Sequence, residues 1–184
     1  MSKQSFHRCH KCCYFSLIPL FLLFLCFHDM LLVHIITPYR CDMWKGKEVE
    51  VFLTPEEWQK LSGVNESLKD TEWIHYTKRA GETKSFFIEN QGQYQSEINL
   101  DGITYSLMSV NNKHPNLNLY YYTNPSAILG KDISLLYDHN LREKVVQYNS
   151  IIGYYTLPFF GVNKHIECDH FEQDPFNLIK NYLK

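Results

Sequence analysis

Residues 14–36 read YFSLIPLFLLFLCFHDMLLVHII, an apolar run broken mainly in its second half by His28, Asp29 and His34. As an α-helix these 23 residues span about 34 Å, against a hydrocarbon core of about 30 Å. That suits one membrane crossing. The uninterrupted part, Tyr14 to Phe27, reaches only about 21 Å at the same rise, so a crossing here must include His28 and Asp29. A cleaved signal peptide is the competing reading, because MSKQSFHRCHK is basic and Phe15–Phe27 has the length of a signal-peptide core. Cleavage needs small residues at the exit, and CFHDMLLVHIITPYR supplies none in the right pattern. The tripeptide LFL before Cys26 is too bulky for a lipoprotein site. The sequence therefore predicts a basic tail over 1–13, an uncleaved signal anchor over 14–36 and a folded body over 37–184.

Basic residues do not orient the anchor, since Lys3, Arg8 and Lys11 on one flank balance Arg40, Lys45 and Lys47 on the other. The cysteines do. Cys9, Cys12, Cys13 and Cys26 precede or lie within the span, whereas Cys41 and Cys168 bracket the body. Two cysteines that bracket a domain suit an oxidising compartment, where a Cys41–Cys168 disulfide would close a long loop. The expected topology is a cytoplasmic tail and an extracytoplasmic domain, periplasmic in a bacterium. Residues 41–184 carry 14 Lys/Arg and 19 Asp/Glu, a net of −5, which argues against nucleic acid as a partner. The expected partners are the lipid bilayer and another membrane or extracytoplasmic protein.

Within the body, TPEEWQKL writes a helix start: Thr54 caps, Pro55 takes the first helical position, and Glu57 completes a capping box. A short helix over 55–62 follows, ended by Gly63. From 71 to 123 the period becomes two, in TEWIHYTKR, TKSFFIEN, QYQSEINL, ITYSLMSV and LNLYYYT. Asp101-Gly102 is a two-residue hairpin signal. The reading is an antiparallel meander of four or five strands. Farther on, Leu141, Val145, Tyr148 and Ile152 recur at helical spacing and predict a helix near 139–150, although VVQYNSII also reads as a strand. Pro158 makes GYYTLPFFGV a bent or edge segment. HIECDHFE reads as a strand, and DPFNLIKNYLK as a short amphipathic helix with Phe176, Ile179 and Leu183 on one face. A helix-flanked antiparallel sheet belongs to the α+β class.

Catalytic signatures are missing: the sequence holds no G-x-S-x-G, P-loop, H-E-x-x-H or G-x-G-x-x-G. Cys9, Cys12 and Cys13 with His7 and His10 have zinc-ligand chemistry, but all fall in one seven-residue stretch with no second knuckle to fold around. The plainer account is a basic, flexible tail with reduced thiols, and acylation of the juxtamembrane cysteines is a further alternative. In HIECDHFE, alternation puts His165, Glu167 and Asp169 on one strand face as candidate metal ligands. The plainer account is a charged, solvated edge. His75, His114 and His139 are scattered, Tyr120–Tyr122 reads as strand core, and Asn65-Glu66-Ser67 is a glycosylation sequon in a eukaryotic secretory setting.

His28 and Asp29 remain. A charged Asp at mid-bilayer costs about 2.5–3.5 kcal/mol on insertion scales, which favours a partner helix that satisfies it. These residues are the candidate intramembrane association site; protonation of Asp29, or an off-centre span, is the alternative. In size and layout the chain resembles the small bitopic accessory proteins of bacterial membrane-bound transcription regulators. That resemblance implies a β-rich extracytoplasmic domain that binds and stabilises a regulator. The sequence reading is thus a non-enzymatic binding protein without a cofactor. The alternatives are a membrane-anchored immunity protein that neutralises a toxin, and a membrane-tethered metal-dependent enzyme using the 165–170 cluster.

Overall fold

The computed structural model describes residues 4–68, 71–75, 94–124, 129–157, 159–168 and 179, and of residues 4–20 and 22 the backbone alone. Helix α1 runs Gln4–Trp44, strand β1 Val49–Val51, helix α2 Pro55–Ser62 and strand β2 Trp73–His75. Six further strands follow: β3 Glu97–Leu100, β4 Ile103–Asn111, β5 Leu117–Tyr122, β6 Leu129–Asp138, β7 Glu143–Leu157 and β8 Val162–Glu167. Every pairing among them is antiparallel, and the order is β1-β7-β6-β5-β4-β2, with β3 also on β4 and β8 also on β7. The two long strands each serve two short partners end to end. β7 pairs with β1 through Val146–Tyr148 and with β8 through Ile152–Leu157. This is an α+β fold, and the consecutive run β3 to β8 is a meander longer than the periodicity announced.

Local chemistry explains the elements that form as expected. Thr54 accepts from the Glu57 amide at 3.2 Å while the Glu57 carboxylate accepts from the Thr54 amide at 2.9 Å, a complete capping box. The bond from the Thr54 amide, with a further hydrogen bond from the Thr54 side chain, holds the Glu57 carboxyl below its usual range. Gly63 closes α2 at φ 73°, where a Cβ would be strained. Asp101 and Gly102 both take positive φ, 54° and 78°, as a type I′ turn between β3 and β4 requires.

The helix expected near 139–150 is instead the first half of β7. Every residue from Val145 to Gly153 is buried, because β7 packs on both faces. Doubly buried strands lose their alternation, and a short apolar run then mimics a helix face. β6 went unread for the same reason. Its burial extends over both faces, and Asp132, Ser134 and Asp138 interrupt its apolar pattern. TKSFFIEN and most of the C-terminal amphipathic segment lie outside the described residues, save Ile179, which is helical and buried in the core.

One sheet face carries Leu117, Leu119, Leu136, Val146 and Tyr148, packed with Trp58 of α2, Leu68 and Trp73. The opposite face carries Tyr105, Leu107, Tyr120, Ile133 and Leu135. On that second face, beside β7, lies the C-terminal part of α1. Val33, Thr37 and Cys41, one turn apart each, are its buried stripe. The Cys41–Cys168 disulfide fastens the end of this stripe to the residue after β8, over a sequence separation of 127. From Val33 onward α1 is therefore a domain element. Among the described residues no helix is long and apolar enough to cross a membrane. Residues 14–20, a large part of the apolar run, have no described side chains.

Close approach of α1 depends on Gly153. A Cβ there would overlap Thr37 Oγ1 and come within 2.6 Å of Val33 Cγ1. We expect Gly153→Ala to cost about 1–3 kcal/mol, the usual penalty for overpacking. Thr37 Oγ1 has no hydrogen-bond partner among the described residues, so Thr37→Ala alone should be cheap and should recover part of the loss in the double variant. Urea unfolding of the three variants measures this. Strictly additive effects would show that α1 does not press on β7 at this point.

Candidate functional site

The face that holds the α2 core opens, toward the β8 edge, into a cleft of about 530 Å³. Strand alternation sets its floor. Tyr148, Ser150, Ile152 and Tyr154 of β7 project on this face, as do Asp132 and Ser134 of β6, Tyr121 of β5, and His165 and Glu167 of β8. Met108 also lines it, next to the register shift between Leu107 and Ser109 in β4.

Asp132 is the centre of this arrangement. Only 9% exposed, it accepts from the Tyr121 hydroxyl at 2.6 Å and from the Tyr154 hydroxyl at 3.3 Å. Thr123 Oγ1 lies 3.2 Å from the same Tyr154 oxygen. Burial, reinforced by the bond to Asp132, pushes the Tyr121 phenol well above its ordinary pKa. Burial likewise raises Tyr154, and raises Tyr148 with added repulsion from Glu167 and Glu48. All three phenols stay protonated, so they act as donors and as apolar rings. At the β8 side Ser150 donates to Glu167 at 3.0 Å. Among the described residues no Lys or Arg forms an ion pair with Asp132 or Glu167.

Two carboxylates with no Lys or Arg partner among the described residues, set among tyrosine rings, suit a positively charged group. Carboxylate oxygens accept from an ammonium or guanidinium, and ring faces attract the same charge. Among the described residues no three His, Cys, Asp or Glu side chains converge as a metal site requires. His165 and Glu167 share a face as the sequence implies, and Asp169 lies outside the described residues.

The other candidates fall elsewhere. His28 Nε2 lies 2.8 Å from Asp29 Oδ1, and His28 Nδ1 lies 2.7 Å from the Leu25 carbonyl oxygen, so the two ionisable neighbours engage one another on α1. The tail cysteines and histidines have no described side chains. His139 meets the Tyr120 hydroxyl at 2.8 Å beneath the opposite face; burial lowers the His139 pKa and raises that of Tyr120 to about 12. His75 bonds Ser109, and His114 bonds Glu66. Asp132, Tyr121 and Tyr154 escaped the sequence reading. The signal that bears on them is alternation within Tyr120–Tyr122, which must send the middle ring to the face opposite its neighbours.

No protein-family model, curated protein or solved structure matches the chain.

Proposed function

We propose that the chain is a single-pass membrane protein, with a cytoplasmic tail and an extracytoplasmic domain that binds a protein partner. The Cys41–Cys168 disulfide is the observation that carries this reading. It joins the helix continuing from the apolar run to the β8 edge of the sheet, and such bridges persist in oxidising compartments. Among the described side chains of α1 the first buried one is Val33, so in this reading the crossing takes in His28 and Asp29 and ends before Val33. Asp29 then lies one turn before the domain, at the outer-leaflet boundary, where a charge is cheaper than at mid-bilayer. Association through His28 and Asp29 belongs to this proposal as a contact with the end of a partner's helix.

The cleft supports binding over catalysis. Its described lining offers fixed acceptors and rings. Its occupant is a basic side chain of the partner, in keeping with the acidic body. The partner we favour is a membrane-bound regulator that the domain accompanies and stabilises.

Affinity recovery of the full-length protein from native membranes, followed by mass spectrometry, tests the proposal. We expect a stoichiometric membrane regulator with the wild type. Asp132→Asn should lower its affinity roughly 10- to 100-fold, the value of a hydrogen bond to a charged group. Equal recovery by the variant would remove the cleft from the interface. A secreted toxin as the recovered species would favour an immunity role, and a solitary protein carrying stoichiometric metal would favour the tethered enzyme at 165–170.

A further inference from the structure

The turn between β7 and β8 exposes two large apolar rings. Phe159 is 85% and Phe160 77% exposed, and Val162 beside them is 45% exposed. Phe159 also sits at φ 71°, a left-handed conformation that costs a bulky residue energy and suits Gly or Asn. The turn is nevertheless built: the amides of Phe160 and Gly161 both donate to the Leu157 carbonyl, at 3.4 and 3.2 Å, and Thr156 donates to Asn163 at 2.9 Å. A strained, solvent-facing diphenylalanine on a hydrogen-bonded hairpin calls for an apolar environment that the described residues do not provide.

The register between β7 and α1 indicates which environment. Cys41 packs beside Ile151, Thr37 and Val33 meet Gly153, and the His34 ring lies 5.4 Å from that of Tyr155. Moving toward the end of β7 thus moves back along α1 toward the apolar run. Two more strand residues, about 7 Å at 3.3 Å each, correspond to four or five helical residues at 1.5 Å, which sets Leu157 level with Asp29 or Met30. The Phe159–Phe160 tip lies beyond that level. There α1 presents bare Phe21, Leu23, Phe24 and Leu25, each about half exposed or more. The hairpin tip and the naked apolar surface of the helix point the same way.

We propose that the β7–β8 hairpin tip enters the outer leaflet of the same bilayer that α1 crosses, with Phe159 and Phe160 at the boundary between headgroups and acyl chains. The inference rests on the membrane reading above. Helix and hairpin then make two points of attachment. Together with the disulfide they fix the tilt of the sheet relative to the membrane and hold the Asp132 cleft at a set height above its surface. Exposed Lys164, two residues beyond the first residue of β8, is placed to meet lipid phosphates.

Full-length protein in phosphatidylcholine nanodiscs tests this, with Phe160→Trp and, as a control, Phe52→Trp. Phe52 is 45% exposed, and its amide bonds Val145 at the opposite end of β7, roughly 40 Å from the tip at strand rise. With brominated phosphatidylcholine, the emission added by Phe160→Trp should be quenched at least threefold more than that added by Phe52→Trp. Equal quenching in a protein that stays with the nanodisc through size exclusion would overturn the tip insertion and leave the anchor intact. A protein that separates from the discs would overturn the anchor, and the tip insertion with it.

Discussion

Cys41→Ser is expected to lower the unfolding free energy of the domain by roughly 4–5 kcal/mol. In the chain-entropy model, closing a loop as long as 127 residues is worth about 5 kcal/mol, before any loss of native contacts. Total stabilities run to about 5–15 kcal/mol, so this one bond decides whether the domain stays folded at growth temperature. The effect has a direction in space as well. Cys41 ends the buried stripe of α1, and Cys168 follows β8, so without the bond the helix is held against β7 by packing alone, through Val33, Thr37 and the His34–Tyr155 ring contact. Urea unfolding in mild detergent, followed by tryptophan emission, measures the change. Reduction of the wild type should reproduce it, and a shift below about 1 kcal/mol from either treatment would mean that α1 docks by packing alone.

How much of this was legible depends on how far apart in sequence the decisive contacts lie. α2 and the Asp101-Gly102 hairpin are written locally, in residues within four positions of each other, and both form as read. The disulfide was legible because just two cysteines bracket the body. β6 and β7 were not, since burial on both faces removes the alternation by which a strand announces itself. The cleft is harder again. Asp132 meets a tyrosine 11 residues before it and another 22 residues after it, and only the β5–β6–β7 register brings the three together. Nor could the sequence show that α1 joins the domain from Val33 onward, because that depends on Val33 meeting Gly153 of β7.

Trp58→Ala should be nearly as damaging as loss of the disulfide, at roughly 3–5 kcal/mol. Trp58 is 1% exposed and joins α2 to the core of Leu68, Leu117, Leu136 and Val145. Its indole nitrogen donates to Asp138 Oδ2 at 2.9 Å, and the other Asp138 oxygen accepts the amides of Asn140 and Leu141 at 2.9 and 3.1 Å. One carboxylate, 4% exposed, thereby ties α2 to the turn between β6 and β7. Two variants separate packing from polarity. Trp58→Phe keeps most of the apolar volume but strips a buried charged acceptor of one donor, at about 1.5–3 kcal/mol. Adding Asp138→Asn to it removes the charge as well as the donor, so the double variant should lose less than the sum of the two single losses. Additivity in that cycle would place the value of Trp58 wholly in its contacts with the core, whereas a clear coupling would identify Asp138 as the joint through which α2 is held on the same face of the sheet as the Asp132 cleft.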